Sequence, residues 1–261
     1  MMFQKLGFQM YTVRDYMYDP DIADVALQKL AKLGYSEIHT AHPKNSIDDK
    51  TLGELCKKNG IAIIGSHYDW NKITETPDAV METHNMWGTK NVGIGGMPQE
   101  ARKDLGELKA FIKKFNETAE LYAKHGFRLT YHHHNFEFVR IDGFKTIMDL
   151  LVEGFDPATT SFVLDTCWIS AGGGDVVDWI EKLAGRIDIL HLKDMTLKPY
   201  EKKFIPDITE VGHGNLSFAP AIQAAEKIGV SHYIVEQDNN FSPDSIASLA
   251  FSADYLKKFM K

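Results

Sequence analysis

Eight short apolar runs alternate with amphipathic helical patterns along the 261-residue chain, and this alternation is the strongest constraint on its fold. Each run is a strand candidate that precedes a helix candidate: "LGFQMYTV", "SEIHTA", "IAIIGSHYD", "NVGIGG", "FRLTYHHH", "TSFVLDT", "IDILHLKD" and "HYIVEQD". Alternating strands and helices imply a parallel sheet. Eight such units in about 250 residues match a (β/α)8 barrel better than an open doubly wound sheet. We therefore predict an α/β protein that forms a single TIM-barrel domain over residues 1–261.

Glycines at the ends of the predicted helices support this division of the chain. Gly34, Gly60 and Gly229 each stop a helical pattern just before a β-rich run, and glycine readily adopts the left-handed conformation that ends a helix. The chain has no GxGxxG motif after the first strand and no GxxxxGK[ST] motif. The segment "GIGGMP" at 93–98 lacks the dinucleotide spacing and predicts a tight turn after the fourth strand. These observations argue against a Rossmann nucleotide-binding domain.

Composition and charge exclude several classes of partner. Lys and Arg number 29 against 36 Asp and Glu, which gives a formal charge of −7, whereas a nucleic-acid surface normally shows clustered basic residues. Cys56 and Cys167 lack CxxC spacing, which argues against a disulfide framework or a Cys-rich zinc site. The N-terminal stretch lacks the apolar segment of a signal peptide, and no apolar run reaches membrane-span length. We expect a cytoplasmic protein without nucleic-acid or membrane partners, and the sequence leaves a homo-oligomer open.

Polar residues end several of the predicted strands, at the barrel face where active sites of this fold lie. Glu137, Asp165, His191 and Glu236 end or follow the fifth to eighth strands, and Lys193 lies two residues beyond His191. Three carboxylates and an imidazole at one rim would repel one another without a cation. Such a mainly oxygen site suits Mn²⁺, Mg²⁺ or Co²⁺, with Zn²⁺ as an alternative. Taken singly, Asp165 could instead cap a helix, His191 could be a packed core histidine, and Glu236 could pair with Lys193.

The chain contains seven segments in the order in which a known family has them: "FQMYTVRD", "GSHYD", "YHHHNFEF", "LDTCWISAGGGD", "HLKD", "EVGHGNLSF" and "YIVEQD". Over essentially its whole length it closely resembles the sugar phosphate isomerase/epimerase family of xylose isomerase-like TIM barrels. The resemblance implies four metal ligands, which are Glu137 in "NFE", Asp165 in "LDT", His191 in "HLKD" and Glu236 in "VEQD". It also implies that Glu137 and Glu236 are the catalytic residues.

The histidine run at 132–134 cannot bind one ion with all three rings, because neighbouring strand residues face opposite sides. His132 and His134 match a His-Asn-His pattern of the family, and His133 replaces the Asn. The resemblance implies that at least one of His132 and His134 lines the substrate pocket or holds Glu137 as a hydrogen-bonding partner. For His133 we expect a packing role.

Two departures from the family pattern concern the substrate. Trp168 stands where epimerases carry a substrate-binding histidine, and His213 replaces the glutamate of a Gly-Glu-Gly loop. Trp168 would stack on a sugar ring or simply fill space, and Lys193 would hold a substrate oxygen or form a salt bridge. Together with the strand-end histidines they complete the candidate substrate-binding residues, which are His67, His132, His134, Trp168, Lys193 and His213.

The resemblance implies a metal-dependent isomerase or epimerase that acts on a small-molecule sugar or keto-sugar. One glutamate would remove a proton and the other would return it through an enediolate. A keto-sugar dehydratase or lyase on the same metal site is the alternative that Trp168 and His213 favour. A phosphodiesterase like endonuclease IV would need a basic DNA surface, against which the charge of −7 argues. A non-catalytic sugar-binding barrel is the remaining alternative, and the intact ligand positions speak against it.

Overall fold

The computed structural model describes residues 3–260, in which eight parallel strands form a nearly closed barrel with helices between them. The barrel and two small hairpins together contain the strands β1 (Leu6–Gln9), β2 (Tyr35–Ala41), β3 (Ala62–His67), β4 (Asn91–Ile94), β5 (Arg128–His132), β6 (Arg140–Asp142), β7 (Lys145–Thr146), β8 (Thr160–Asp165), β9 (Ile187–Leu192), β10 (Asp194–Tyr200), β11 (Lys203–Thr209) and β12 (His232–Val235). The barrel order is β3-β2-β1-β12-β9-β8-β5-β4. The predicted α/β class and (β/α)8 barrel are thereby confirmed.

The barrel closes between β3 and β4 through a joint that differs from the other strand pairs. An isolated parallel bridge links Tyr68 and Ile94, and the Tyr68 amide donates to the Gly93 carbonyl at 2.8 Å. Further along, the side chains of Thr89 and Asn91 donate to the carbonyl of Ile64, at 2.8 and 3.1 Å. At this joint, side-chain hydrogen bonds therefore replace part of the backbone hydrogen-bond ladder that joins the other strand pairs.

The helices of the described chain are α1 (Pro20–Leu33), α2 (Asp49–Lys58), α3 (Trp70–Glu75), α4 (Pro77–Trp87), α5 (Leu105–Ala123), α6 (Ile147–Gly154), α7 (Thr166–Ala171), α8 (Val176–Lys182), α9 (Phe218–Ile228) and α10 (Ser245–Leu256). Short 3₁₀ segments cover Met10–Tyr16, Gln99–Arg102, Phe136–Phe138 and Lys257–Phe259. Gly34 and Gly229 end their helices with φ of 101° and 84°, and Gly60 follows α2 with φ of 69°. The predicted glycine stops are confirmed. No helix within residues 3–260 is both long and apolar enough to cross a membrane.

The barrel interior has an apolar floor below a polar rim. Ile64, Val163, Ile189 and Ile234 form a buried cluster from four different strands. Side chains two residues apart on a strand share a face. Asp165, His191 and Glu236 each lie two residues beyond a member of this floor, so they point into the barrel above it. A second, larger apolar layer lies between the sheet and the helices.

The segment after β9 forms an antiparallel hairpin of β10 and β11, where the sequence predicted a loop. Its two-residue turn is Glu201–Lys202, and Glu201 has a positive φ of 52°. Asn-Gly or Asp-Gly pairs usually mark such turns, so this turn gave no signal in the sequence. The long helix predicted within residues 100–125 is α5, and the Asp104 side chain accepts from the Glu107 amide and starts the helix there.

Candidate metal centre

Asp165, His191 and Glu236 come together at the carboxyl ends of β8, β9 and β12. Asp165 and His191 are paired residues in the β8–β9 register, and Glu236 directly follows β12. The Nδ1 atom of His191 lies 2.7 Å from Glu236 Oε2 and 3.9 Å from Asp165 Oδ2. All three residues are buried. The structure therefore places three of the four predicted ligands side by side.

The fourth member of this group is His132, the last residue of β5. Ligand atoms of His132, Asp165, His191 and Glu236 all lie within 4.8 Å of one another, and we call these four residues the metal cluster. The Nδ1 atom of His132 is 3.4 Å from the Gly95 carbonyl oxygen. A carbonyl oxygen only accepts, so this contact assigns the ring proton to Nδ1. His132 Nε2 then presents a lone pair to Asp165 Oδ2, 3.6 Å away.

Glu137 does not belong to the metal cluster. Its carboxylate accepts from the Tyr131 hydroxyl at 2.6 Å and from the His134 amide at 2.8 Å. Tyr131 neighbours His132 on β5 and therefore faces away from the barrel interior, and its ring packs against Phe155 in the helix layer. Burial raises the pKa of Glu137 to about 7. The carboxylate thus joins the end of β5 to the following turn on the outer side of the strand.

Two buried atoms of the metal cluster lack the partner that burial normally requires. His132 Nε2 and Asp165 Oδ2 make no hydrogen bond within the described chain. When Asp165 is ionised, both are lone-pair atoms that face each other without a proton between them. Burying such atoms without a partner costs about 1–3 kcal/mol each. A divalent cation between them would satisfy both, so the residues present fit a metal ion.

The charges around the metal cluster lead to the same conclusion. The Lys193 ammonium lies 2.8 Å from Asp238, 3.5 Å from Glu236 and 3.8 Å from Asp165. With these three carboxylates ionised, the single ammonium leaves a net charge of about −2, because burial lowers the pKa of His132 to about 3 and keeps it neutral. Buried charge is stable only when it is compensated. One divalent cation balances this site.

The pKa shifts follow from burial and from Lys193. Burial raises the pKa of Asp165 even though Lys193 opposes the shift. Burial alone would also raise the pKa of Glu236, but Lys193 and His191 hold it well below its ordinary value. For Lys193, burial alone would lower the pKa, and the charges of Glu236, Asp165 and Asp238 raise it instead. Lys193 is therefore a permanent cation beside the metal cluster, and its Nζ lies 4.7 Å from the centre of the Trp168 ring.

The three consecutive histidines have three different environments. His132 is in the metal cluster, and the His133 Nε2 accepts from the Asp165 amide at 3.0 Å. His133 thus fixes the backbone at the tip of β8 rather than only packing. His134 lies beside Trp168, with ring centres 5.5 Å apart, and its Nδ1 makes no hydrogen bond within the described chain. Sequence alternation explains the opposite directions of His132 and His133.

A cavity of about 650 Å³ opens between the loops that follow β3, β4 and β5. Its walls include the predicted residues His67 and His134, together with Trp70, Arg102 and Phe136. The His67 and His132 rings are 4.8 Å apart, so the inner end of the cavity adjoins the metal cluster. Ligand pockets of 300–1,000 Å³ hold small organic molecules. The cavity is thus large enough for a sugar.

His213 lies outside this arrangement, on the 211–216 loop. Its side chain is 52% exposed and lies 4.0 Å from Glu210, and it does not line the cavity. The loop itself is held by Asp194, whose carboxylate accepts from the amides of Gly212, Gly214 and Leu216 at 2.9–3.1 Å. Sequence reasoning missed this role of Asp194, although an aspartate followed by a glycine-containing loop was visible.

A shell of further histidines surrounds His191. His39 Nδ1 lies 2.9 Å from His191 Nε2, and the His39 and His67 ring centres are 4.2 Å apart. His39, His67 and His191 form a second group with ligand-type spacing. This group contains no carboxylate that could neutralise a bound cation, and it shares His191 with the metal cluster. The metal cluster is therefore the better candidate for a divalent ion. Sequence reasoning missed His39, which lies inside β2 rather than at its tip.

Comparison with known proteins identifies the family. Residues 27–258 match the family model for the xylose isomerase-like TIM barrel, so the chain belongs to this family. It is 30% identical over 146 residues to an inosose dehydratase of Bacillus licheniformis, and this match covers 51% of this chain and 48% of that protein. It is 24% identical over 225 residues to an inosose dehydratase of Mesomycoplasma hyopneumoniae, which covers 77% of this chain and 69% of that protein. The chain thus spans about half the length of the first relative.

Solved structures share the fold at low sequence identity. A sugar phosphate isomerase/epimerase from Parabacteroides distasonis aligns with a TM-score of 0.82 at 22% identity, over 99% of this chain and 96% of that chain. A zinc-bound IolI protein aligns with a TM-score of 0.70 at 16% identity, over 99% of this chain and 100% of that chain. The probable 3-DHS dehydratase AsbF from Bacillus anthracis aligns with a TM-score of 0.73 at 14% identity, over 97% and 99%. At these identities the similarity establishes the fold.

Proposed function

We propose that the chain is a divalent-metal-dependent enzyme that eliminates water or another β-leaving group from a keto-sugar. The position of Glu137 carries this choice, because its carboxylate is held by Tyr131 and His134 on the outer side of β5. An isomerase or epimerase that works through two glutamates needs both at the substrate. An elimination needs only one base beside the acidified C–H bond, and we assign that role to Glu236 of the metal cluster. The inosose dehydratases among the relatives support the same reaction class.

In this proposal the ligands are His132, Asp165, His191 and Glu236, so that His132 takes the role the sequence assigned to Glu137. A bound divalent ion supplies Lewis acidity, which polarises a carbonyl and acidifies the neighbouring C–H bond. Mn²⁺, Mg²⁺, Co²⁺ and Zn²⁺ remain the candidates, and two imidazoles in the set favour the transition metals over Mg²⁺.

The protein residues then divide the elimination between them. Glu236 accepts the proton from the carbon beside the carbonyl, and the released electron pair forms the new C=C bond. The C–O bond to the β-substituent breaks, and the leaving oxygen takes a proton from solvent in the cavity. The Lys193 ammonium offsets negative charge that develops on the carbonyl oxygen. The cavity beside His67 and His134 admits the substrate.

The reaction can be tested with an inosose and a panel of ketohexoses in D₂O, with product mass and NMR as readouts. The proposal expects a product that has lost the mass of water, no turnover in Glu236→Gln, and retained turnover in Glu137→Gln. Deuterium uptake into an isomeric product without loss of mass would instead establish the isomerase or epimerase reaction. Bound metal and bound sugar without either reaction would leave the non-catalytic barrel as the explanation.

A further inference from the structure

The hydrogen bond between His39 and His191 crosses the barrel interior. His39 lies on β2 and His191 on β9, which are not neighbours in the sheet. The His39 Nδ1 and His191 Nε2 atoms are 2.9 Å apart, and both residues are completely buried. The other ring nitrogen of His191 faces Glu236 Oε2 at 2.7 Å. Each end of the His191 ring therefore has one defined partner.

The proton on His191 decides which residue donates in this hydrogen bond. A neutral imidazole carries one N–H, so its two nitrogens have opposite roles. Without a metal, His191 Nδ1–H donates to the Glu236 carboxylate, and Nε2 must accept from His39 Nδ1–H. A metal ion on Nδ1 requires the lone pair of that atom, so the proton moves to Nε2. Nε2–H then donates to His39 Nδ1, and the single proton of His39 must lie on its own Nε2.

We propose that His39 is a positioning residue for the metal ligand His191, and that metal binding reverses the polarity of their hydrogen bond. Hydrogen-bond partners of this kind fix the tautomer and orientation of ligating histidines. The inference rests on the metal site of the proposed function and adds to it a residue on β2. Metal binding at His191 would also change the role of His39 Nε2, because this nitrogen becomes a donor only when the metal is bound.

The reversal also changes the role of His39 Nε2, the ring nitrogen that does not face His191. His39 Nε2 makes no hydrogen bond within the described chain. The His39 ring contacts His67 edge to face, with ring centres 4.2 Å apart, and His67 lines the cavity. Gln9 Nε2 lies 3.4 Å from His67 Nδ1, while Gln9 Oε1 accepts from the Tyr11 amide, so the His67 proton is assigned to Nε2. In the metal-bound protein the Nε2 atoms of His39 and His67 are then both donors, and that of His67 belongs to a residue that lines the cavity.

Protonation does not compete with this exchange of tautomers. Burial and the neighbouring His191 and His132 lower the pKa of His39 well below its ordinary value. Burial likewise lowers the pKa of His67. Both shifts favour the neutral rings, each of which carries its single proton on Nδ1 or on Nε2.

The first test measures metal affinity in the wild type and three variants by competition with a chelator, with Zn²⁺ as the probe. His39→Leu removes the acceptor and is expected to weaken binding about 10- to 100-fold. His39→Asn is expected to restore most of it, because Asn Oδ1 can accept where Nδ1 does. His84→Leu is the matched control, since His84 is a buried histidine that contacts Ser66 and Val80 and lies outside the metal cluster. Unchanged affinity in His39→Leu, or equal losses in His39→Leu and His39→Asn, would overturn the positioning role.

The second test reads the tautomer directly from long-range ¹H–¹⁵N spectra of histidine-labelled protein, before and after Zn²⁺ is added. The expected result is a change of His39 from the Nδ1–H to the Nε2–H form. One tautomer in both states would overturn the reversal. A wild type that binds no metal would refute this inference and the proposed function together. Metal binding with the expected tautomer change but without sugar turnover would refute the proposed function alone.

Discussion

Replacing Glu137 and His132 separately distinguishes the two versions of the metal site. The sequence motif predicts Glu137 as a ligand, whereas the proposed site has His132 in its place, because His132 belongs to the metal cluster. We expect His132→Leu to lower affinity for Zn²⁺ by more than the 10- to 100-fold that loss of a ligand's hydrogen-bonding partner costs. Glu137→Gln should leave the affinity within about threefold, because its carboxylate contacts Tyr131 and His134 instead.

The pH dependence of stability gives a second, independent signature of the buried Glu137. Burial raises its pKa from 4.5 to about 7, so the folded state binds a proton more tightly than the unfolded state. That contribution is complete below pH 4.5 and is lost as the pH rises to about 7. A shift of this size corresponds to about 3 kcal/mol as an upper bound. The amide introduced by Glu137→Gln does not ionise, so the stability of this variant relative to the wild type should rise across this interval.

Metal affinity and the pH dependence of stability can be measured on the same proteins. Metal affinity comes from chelator competition, and the free energy of unfolding comes from urea titrations of the metal-free proteins at pH 4.5, 6 and 8. Tyr131→Phe is a useful control, because it removes one hydrogen bond to Glu137 while leaving the carboxylate in place. Loss of Zn²⁺ in Glu137→Gln together with retention in His132→Leu would refute the geometric assignment. Parallel pH profiles of Glu137→Gln and wild type would refute the account of the buried carboxylate.

Three further predictions follow from the same site. Asp165→Ala should lose about one equivalent of divalent metal per chain in elemental analysis, because Oδ2 is one of the two unpartnered atoms. Lys193→Met should lower kcat more than it raises KM in the elimination assay, since the ammonium acts on developing charge; an effect on KM alone would indicate substrate binding only. Asp194→Asn should lower the free energy of unfolding by about 2–3 kcal/mol in urea titrations, because a charged acceptor for three loop amides becomes neutral.

The sequence predicted the fold from features that act locally. Strand and helix periodicities and the stops at Gly34 and Gly229 depend on a few neighbouring residues, and so does the direction of a side chain within a strand. Asp165, His191 and Glu236 lie at or next to strand ends in phase with an apolar floor, and the structure does bring them together. Alternation is therefore sufficient to place residues that belong to a strand or continue it.

The alternation of side chains along a strand did not predict the contacts of residues outside the strands or of residues whose partners are distant in sequence. Glu137 lies in a 3₁₀ segment after β5, where a period of two no longer determines direction, and its partner Tyr131 faces the helices. His39 acquires its partner only when β2 and β9 meet across the closed barrel. The β10–β11 hairpin depends on a Glu-Lys turn without glycine. In each case the deciding contact is distant in sequence or follows an atypical turn.

The joint between β3 and β4 coincides with the mouth of the cavity, and this has a consequence for motion. The loops after both strands line the cavity, while the strands themselves are joined by one isolated bridge and side-chain donors. Segments with few backbone hydrogen bonds open at lower free energy than continuous ladders. Amide hydrogens of β3 and β4 should therefore exchange with solvent faster than those of β8 and β9. A ligand in the cavity that contacts both loops would slow this exchange. Hydrogen exchange in β3 and β4 would therefore report whether the cavity is occupied.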